Sequence, residues 1–271
     1  MFQFCSLYSG STGNSSIVQS NTTKILVDIG ESAKKITEAL AKINVDPYSI
    51  DAILITHEHS DHIKGQVKLS FVFLLCVFSK KYNVPVYANV ETWNAMPKHK
   101  EKMNEENIKT FTFNKFKIGD IEVNPFPIPH DAANPCGFNL FHDNKKMSIA
   151  TDVGHMNKEI ITNLSNSSFL LLEANYEPEI LKCSPYPYVL KERIKGPNGH
   201  LSNSDAGKTI SYLTNHGLNK VMLGHLSKEN NFPELAYKTV VEELIEHNYN
   251  ENNLSLSIAN RYEVSPIIDV S

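Results

Sequence analysis

The sequence has few cysteines, and no two of them are spaced as a metal-binding pair. The four lie far apart, at Cys5, Cys76, Cys136 and Cys183. We therefore expect neither a zinc–thiolate site of the C-x-x-C type nor a framework of disulfides. Reduced, isolated thiols are typical of proteins in the cytoplasm, and we expect that localisation.

Long apolar segments and an excess of positive charge are also missing. The most apolar run, residues 71–78 (FVFLLCVF), spans eight residues, whereas a membrane helix needs about 20. The N-terminus lacks the basic region that opens a signal peptide. The formal net charge is −4, so any binding of a polyanion must come from local patches. We expect a protein that does not bind membranes.

What the sequence does contain is an alternation of short apolar segments and amphipathic ones in two halves. The predicted strands are 2–8, 14–20, 24–30, 51–56, 84–90, 110–114, 116–126, 136–141, 146–152, 169–174 and 220–225, with two more at the end. The predicted helices are 32–43, 64–82, 91–104, 157–164, 186–194, 203–215 and 233–247. This order predicts two sheets packed face to face with helices outside, in a single domain over residues 1–271.

The segment HEHSDH follows the apolar strand 51–56 directly and concentrates metal-binding side chains. His57 and His59 are two residues apart in an extended segment, so both project to the same side. Imidazole and carboxylate are ligands that divalent cations take. Asp61 and His62 are adjacent, so their side chains diverge, which favours two neighbouring metals over one closed site.

A second metal needs further ligands, and candidates follow other apolar strands. These are His130, Asp152 and His225. Each of these residues alone is weak evidence for a metal site, because a single histidine after a strand is more often a surface residue. A buried polar side chain needs a partner, however, and together with HEHSDH the three predict a site at the strand ends.

The pattern H-x-H-x-D-H, followed by His, Asp and His after later strands, resembles the metallo-β-lactamase fold superfamily. The resemblance implies a four-layer αββα sandwich that binds two divalent metal ions. It implies that one metal is held by His57, His59 and His130 and the other by Asp61, His62 and His225. Asp152 would bridge the two, and Asp28 in KILVDIG would orient a ligand without touching the metal. Zinc suits such donors best, and manganese or iron would also bind them.

The reaction is not decided by this pattern, because the superfamily hydrolyses lactams, thioesters and phosphodiesters. Two metals about 3.5–4 Å apart can share an attacking hydroxide. Position 152 is Asp where the best-known metallo-β-lactamases carry Cys. Glu173 and His200 resemble the Glu–His pair that protonates the leaving oxygen in phosphodiesterases similar to ribonuclease Z. On this basis Asp61, Glu173 and His200 are the predicted catalytic residues.

Longer strings resemble a narrower family. LLEANYEPEILKCSPYPYVLKERIKGPNGHLSNSDA and LGHLSKENN closely resemble the WalJ/YycJ family of bacterial metallo-hydrolases. That resemblance implies a 5′-to-3′ exonuclease on double-stranded DNA. Thioester or lactam hydrolysis and a non-catalytic metal-binding role in signalling remain alternatives. The segment 66–79 departs from the family pattern, since it is longer and more apolar.

DNA contacts must come from local groups, because the chain is acidic overall. The basic segment KERIK precedes His200 and supplies Lys191, Arg193 and Lys195, and a second basic cluster comprises Lys98, Lys100 and Lys102. Ser202 and Asn203 open a helix whose N–H groups could bind a phosphate. The remaining histidines are interpreted as surface residues: His99, His142, His155, His216 and His247.

Overall fold

The computed structural model describes residues 1–63, 74–247 and 254–270, and in these parts the strands form two seven-stranded sheets. The first has the order β14-β1-β2-β3-β4-β5-β6 and comprises β1 (Gln3–Tyr8), β2 (Ser15–Gln19), β3 (Lys24–Val27), β4 (Ala52–Leu54), β5 (Val86–Asn89), β6 (Ile108–Phe111) and β14 (Ile268–Asp269). The second has the order β13-β12-β11-β10-β9-β8-β7 and comprises β7 (Phe116–Ile118), β8 (Ile121–Pro127), β9 (Cys136–His142), β10 (Lys145–Ala150), β11 (Phe169–Glu173), β12 (Lys220–Gly224) and β13 (Ser255–Ile258).

The helices of the described residues lie between these strands in sequence. They are α1 (Ala33–Lys42), α2 (Ser60–Ile63), α3 (Leu74–Tyr82), α4 (Val90–Ala95), α5 (Pro97–Lys102), α6 (Lys158–Leu164), α7 (Pro178–Cys183), α8 (Tyr188–Lys195), α9 (Asn203–Thr214) and α10 (Pro233–Glu246). Single 3-10 turns occur at Pro47–Ser49 and Glu105–Asn107.

The apolar strands are buried on both faces, which explains their lack of alternation. In β3, Ile25 and Val27 belong to the core between the two sheets, whereas Leu26 faces the outer core of the first sheet. Across the inner core the rings of Phe4 and Phe169 lie 4.6 Å apart, one from each sheet. The two sheets therefore pack face to face.

Helices cover the outer face of each sheet. Ile36 of α1 and Leu75 of α3 pack into the outer core of the first sheet. Ile160 of α6, Ile210 of α9 and Val240 of α10 pack into that of the second. The structure confirms the predicted αββα sandwich.

Two predicted helices differ from those observed, and one observed helix was not predicted. Residues 91–104 form two short helices, because Met96 ends α4 and Pro97 starts α5, and a residue that precedes proline disfavours helical backbone. Helix α7 was not predicted. Of the predicted helix 64–82, the part 74–82 is helical, and the rest of it, with most of the unusual segment 66–79, lies outside the described residues.

Parallel strands carry the predicted ligands to one edge. In the second sheet β10, β11 and β12 run parallel, so their carboxyl ends meet. Asp152 lies two residues beyond β10, Glu173 ends β11, and His225 follows β12. In the first sheet β3 and β4 are also parallel and lead to Asp28 and His57.

Candidate active site

The predicted metal ligands meet in one cluster. Four groups have ligand atoms within 4.8 Å of one another: His57 with His59 and His130, His57 with His62 and Asp152, Asp61 with His62 and His225, and Asp152 with Glu173, His200 and His225. The groups overlap in shared residues, so they form one continuous centre. All seven sequence-predicted ligands lie in it, and the predicted acid–base pair is part of the same cluster.

Asp28 and Thr56 orient the imidazole rings of His57 and His62. His62 donates from Nδ1 to Asp28 Oδ2 at 2.7 Å. Thr56 donates its hydroxyl to the same oxygen at 2.8 Å and its N–H to the other at 2.9 Å, so its Oγ1 can accept from His57 Nδ1 at 3.0 Å. With the Nδ1 protons held in this way, Nε2 is the candidate ligand atom of both rings; His57 Nε2 has no partner among the described residues, and His62 Nε2 lies 3.0 Å from Asp152 Oδ2. Asp28 was predicted from the sequence, whereas Thr56 was not.

His130 and His225 follow the same arrangement. His130 donates from Nδ1 to the carbonyl of Gly199 at 2.9 Å, and His225 donates from Nδ1 to Glu173 Oε1 at 2.8 Å. Their Nε2 atoms face other candidate ligands, since His225 Nε2 lies 3.3 Å from Asp61 Oδ2. His59 uses the other nitrogen, because its Nδ1 lies 3.2 Å from His130 Nε2. Two ring nitrogens facing each other need a proton or a cation near them.

Among the buried side-chain atoms that lack a hydrogen-bond partner in the described residues, two lie in this cluster, and both point to a cation. They are His57 Nε2 and Asp152 Oδ2. A buried acceptor without a donor costs about 1–3 kcal/mol, and more when it is charged. Asp152 Oδ2 lies 3.0 Å from His62 Nε2, and its Oδ1 lies 3.6 Å from His130 Nε2. The carboxylate therefore stands between the two histidine groups, and the donor set fits divalent metals.

Three residues of the centre adopt left-handed backbone. The φ angles are 61° for Asp28, 58° for Asp152 and 53° for His225. This region is sparsely populated by residues other than glycine, although Asp and His tolerate it better than most. In all three cases the residue follows a strand, so the strained turn directs the side chain into the centre.

A metal ligand must be a neutral histidine or an ionised carboxylate. The local electrostatics favour that state at His57 and Asp152 and oppose it at His225. Burial, together with the neighbouring imidazole of His62, lowers the pKa of His57 well below its usual range, so this ring is neutral. Burial tends to raise the pKa of Asp152, but His225 and His62 outweigh it and hold the carboxyl ionised. Burial disfavours the charged form of His225, yet Asp152 and the other acids raise its pKa to about 10. A cation held by this nitrogen would have to displace that proton.

Glu173 is fully buried and fully hydrogen-bonded. Its Oε1 accepts from Nδ1 of His200 and from Nδ1 of His225, each at 2.8 Å. Its Oε2 accepts from the backbone N–H of Val153 at 2.7 Å and of Leu201 at 3.2 Å. The structure thus brings the predicted pair together, and it adds that Glu173 also holds His225.

His200 carries the properties of a proton donor. Its side chain is about one quarter exposed, at 23%. Burial lowers its pKa, but the charge of Glu173 and its hydrogen bond outweigh burial and raise it. The ring is therefore held protonated at the rim of the metal cluster.

Asn14, which was not predicted from the sequence, also contacts the cluster. Its Oδ1 accepts from the N–H of Gly10 at 2.8 Å, which leaves Nδ2 to face Asp61 Oδ2 and His62 Nε2, each at 3.1 Å. Its loop also approaches Gly30 closely, where a Cβ would lie 1.7 Å from the carbonyl of Asp61. The glycine-rich strings SGSTGN and DIG signal this close contact between loops.

The predicted DNA-contact residues are only partly available. Lys191 Nζ donates to the carbonyl of Lys182 at 2.7 Å, and Lys195 pairs with Glu192 at 2.8 Å, both at the surface. Ser202 caps α9, because its hydroxyl accepts from the backbone N–H of Asp205 and donates to the Asp205 carboxylate. Asn203, the next residue, is fully buried.

That neighbour, Asn203, donates from its side chain to Glu177 and Asn231, and from its backbone N–H to the carbonyl of Tyr176. Both residues are thus buried and hydrogen-bonded within the protein, and phosphate binding by Ser202 and Asn203 stays a prediction.

The interpretation of the other histidines needs one correction. His99 is only 5% exposed, so it is not a surface residue. Burial, with a smaller contribution from Lys102, lowers its pKa to about 4. His155 is exposed, as expected, and donates from Nδ1 to the carbonyl of Pro197 at 2.8 Å.

In the parts of the chain that the structure describes, none of the helices combines the length and the apolar character that crossing a membrane requires.

Comparison with known proteins identifies the family. Residues 23–226 match the family described as the Beta-lactamase superfamily domain. Exodeoxyribonuclease WalJ of Streptococcus pneumoniae serotype 2 (strain D39 / NCTC 7466) is 41% identical over 246 residues, which cover 90% of this chain and 88% of WalJ. Exodeoxyribonuclease YycJ of Bacillus anthracis is 37% identical over 250 residues, covering 91% and 90%.

A solved structure agrees on the fold. The metallo-beta-lactamase fold protein YhfI from Bacillus subtilis superposes with a TM-score of 0.66 at 15% identity, covering 98% of this chain and 100% of YhfI. The chain therefore belongs to the beta-lactamase superfamily and, within it, to the WalJ/YycJ family. It is a metal-dependent hydrolase.

Proposed function

We propose that this protein is an exodeoxyribonuclease that digests double-stranded DNA from 5′ to 3′ with two divalent metal ions. The observation that carries the proposal is the Glu173–His200 pair, bonded at 2.8 Å within the same cluster as the candidate metal ligands. Hydrolysis of a phosphodiester expels an alkoxide, which needs a proton donor. The names of the relatives WalJ and YycJ, exodeoxyribonucleases, support DNA as the substrate.

The metal ligands are assigned in two sets that share one carboxylate. One set is His57, His59 and His130, the other is Asp61, His62 and His225, and Asp152 belongs to both. The grouping of the ligand atoms supports this division, because each of the two sets forms a group of its own. Zinc suits the donors best, and manganese or iron would bind them as well. When bound, such ions supply Lewis acidity and lower the pKa of water to about 7.

The residues around the metals each have a task. Asp28 and Thr56 orient His62 and His57, and Glu173 orients His225 and keeps His200 protonated. His200, whose Nδ1 is bonded to Glu173, donates its Nε2 proton to the leaving oxygen. Arg193, Lys191 and Lys195 on α8 supply positive charge to the DNA backbone beside it.

The proposal extends to the whole chain and its location. We assign residues 1–271 to one domain, which is supported by the pairing of β1 with β14 from the opposite end of the chain. We place the enzyme in the cytoplasm, which is supported by its four free cysteines, three of them buried.

The test is a digestion series with metal-loaded protein on end-labelled DNA and RNA duplexes. We expect release of mononucleotides from the 5′ end of DNA and loss of that activity in Asp61→Ala. Glu242→Ala is the matched control, because it removes an exposed acid on α10 that pairs with Lys238 and with no other described residue. If every nucleic acid stays intact, the nuclease proposal fails.

Thioester or lactam hydrolysis is tested with the same preparations. The leaving groups of these substrates place less demand on a proton donor. If the metal-loaded protein cleaves such substrates, and His200→Ala leaves that rate unchanged while DNA stays intact, this alternative replaces the nuclease. If none of the substrates is cleaved, a non-catalytic metal-binding role replaces both.

A further inference from the structure

A cavity of about 180 Å³ lies directly against His200. One wall is formed by Leu190, Arg193 and Ile194 of α8, and Ser11 and Tyr186 also line it. Ligand pockets for whole small molecules measure about 300–1,000 Å³, so this cavity is smaller than most of them. It matches a single sugar–phosphate unit better than a longer stretch of a strand.

The walls of the cavity offer hydrogen-bond donors that the protein itself does not use. Arg193 donates from Nε to Asp131 at 2.5 Å, and its terminal nitrogens donate to none of the described residues. The hydroxyls of Ser11 and Tyr186 likewise make no hydrogen bond within the described parts of the chain. A guanidinium beside two free hydroxyls is suited to a phosphate, while Leu190 and Ile194 supply an apolar surface for a sugar or base.

The proposed chemistry decides which nucleotide lies on the side of His200. The oxygen of a water adds to phosphorus, the P–O3′ bond breaks with its electron pair on O3′, and His200 supplies the proton to O3′. The proton released by the water restores His200 through the solvent. The departing nucleotide thus gains a 3′-hydroxyl beside His200, and the shortened strand gains a 5′-phosphate.

We propose that this cavity is the subsite for the 5′-terminal nucleotide and that Arg193, Ser11 and Tyr186 bind its 5′-phosphate. The inference rests on the proposed nuclease function and deepens it. In a 3′-to-5′ enzyme that breaks the same bond, the remaining strand would lie beside His200 and a small cavity there would obstruct it. Each cleavage also creates the 5′-phosphate that the next cycle binds.

The test compares two duplexes that differ only at the 5′ end, one with a phosphate and one with a hydroxyl, both labelled at the 3′ end. For the wild-type holoenzyme we expect kcat/KM to be about tenfold higher on the phosphorylated duplex, mainly through KM, because charge-assisted hydrogen bonds are lost with the phosphate. Arg193→Gln is expected to bring this ratio close to one. Ser11→Ala, at an exposed position, is expected to lower the ratio without affecting the fold.

The matched control is Lys238→Gln, which removes one exposed positive charge on α10 and should keep the wild-type ratio. A wild-type ratio near one, or an Arg193→Gln variant that retains the full ratio, overturns the subsite. Because each variant is compared with itself on two substrates, a general loss of folded protein cancels out.

Bis(p-nitrophenyl) phosphate separates this result from failure of the proposed function. It is a phosphodiester without a terminal nucleotide, so its hydrolysis reports on the metal centre alone. If this diester and DNA are both cleaved but the DNA shows no preference for a 5′-phosphate, the subsite proposal is wrong and the nuclease proposal stands. If neither the diester nor DNA is cleaved, the nuclease proposal falls and the subsite falls with it.

Discussion

Replacing Glu173 by glutamine perturbs the most heavily bonded side chain of the candidate active site. The carboxylate accepts four hydrogen bonds, two at each oxygen, from His200, His225, Val153 and Leu201. A glutamine side chain has nearly the same shape but offers one oxygen and one NH₂ group. Two of the four donors must then face another donor.

The loss of unfolding free energy depends on which two of the four donors lose their acceptor. If the NH₂ group faces the backbone of Val153 and Leu201, two buried bonds to a charged acceptor are lost, each worth about 1.5–3 kcal/mol. The variant would lose about 3 kcal/mol or more of unfolding free energy, which corresponds to a fall in Tm of about 6–12 °C for a chain of this size. If the NH₂ group faces the imidazoles, they shift their protons to Nε2 and His225 can no longer bind a metal there.

Three measurements on Glu173→Gln distinguish these two orientations of the amide: Tm by calorimetry, metal content after dialysis, and kcat on DNA. We expect kcat to fall by about 10²–10⁴, as is usual for loss of general acid catalysis, together with a lower Tm or a loss of bound metal. His200→Asn is the matched control. It should lower kcat similarly, keep the metal and cost about 1 kcal/mol or less, because the ring is partly exposed and Glu173 keeps three donors. A Glu173→Gln protein with wild-type Tm, metal content and kcat would refute this reasoning.

Three further predictions concern the surroundings of the site. Asp28→Asn removes the carboxylate that fixes His62, and metal affinity should fall about 10–100-fold in a chelator-competition titration; unchanged affinity would contradict the role of Asp28. Asn14→Asp keeps the acceptor for the Gly10 N–H but replaces the donor that faces Asp61 by an acceptor. It should preserve Tm yet alter metal binding, and unaltered binding would mean that the amide has no influence on Asp61. His99 has a pKa of about 4 against an unfolded value of 6.5, so the folded protein binds fewer protons between these values. Its contribution to stability is complete above pH 6.5 and is lost as the pH falls towards 4. His99→Gln should show a shallower decline in unfolding free energy over that range, and an identical decline would show that His99 is not buried as described.

Local sequence patterns predicted the layered fold and the candidate metal ligands, whereas Glu173 and His200 were predicted from the family resemblance. The spacing in HEHSDH is a property of a few consecutive residues, and its chemistry can be read without knowing the fold. The doubly apolar strands predicted covered sheets, and both sheets are covered on their two faces. Polar residues directly after such strands were expected at one edge, because parallel strands bring their carboxyl ends together.

Contacts between distant segments could not be predicted in this way. The bond between Glu173 and His225 joins residues 52 positions apart, and that between Asn14 and Asp61 joins residues 47 apart. No periodicity encodes such pairs. The burial of Asn203 is a second example, because the sequence shows a polar residue at the start of a helix, and only the packing of α9 shows that its side chain is fully buried.

The sequence by itself determined the ligand types, the layered architecture and the family resemblance, because each depends on residue identity and on spacing along the chain. Only the tertiary structure decided which nitrogen of each imidazole is free, since that depends on the acceptor facing Nδ1. For His62 this acceptor is Asp28, and for His225 it is Glu173. The cavity beside His200 is likewise formed by residues as far apart as Ser11 and Arg193, which only folding brings together.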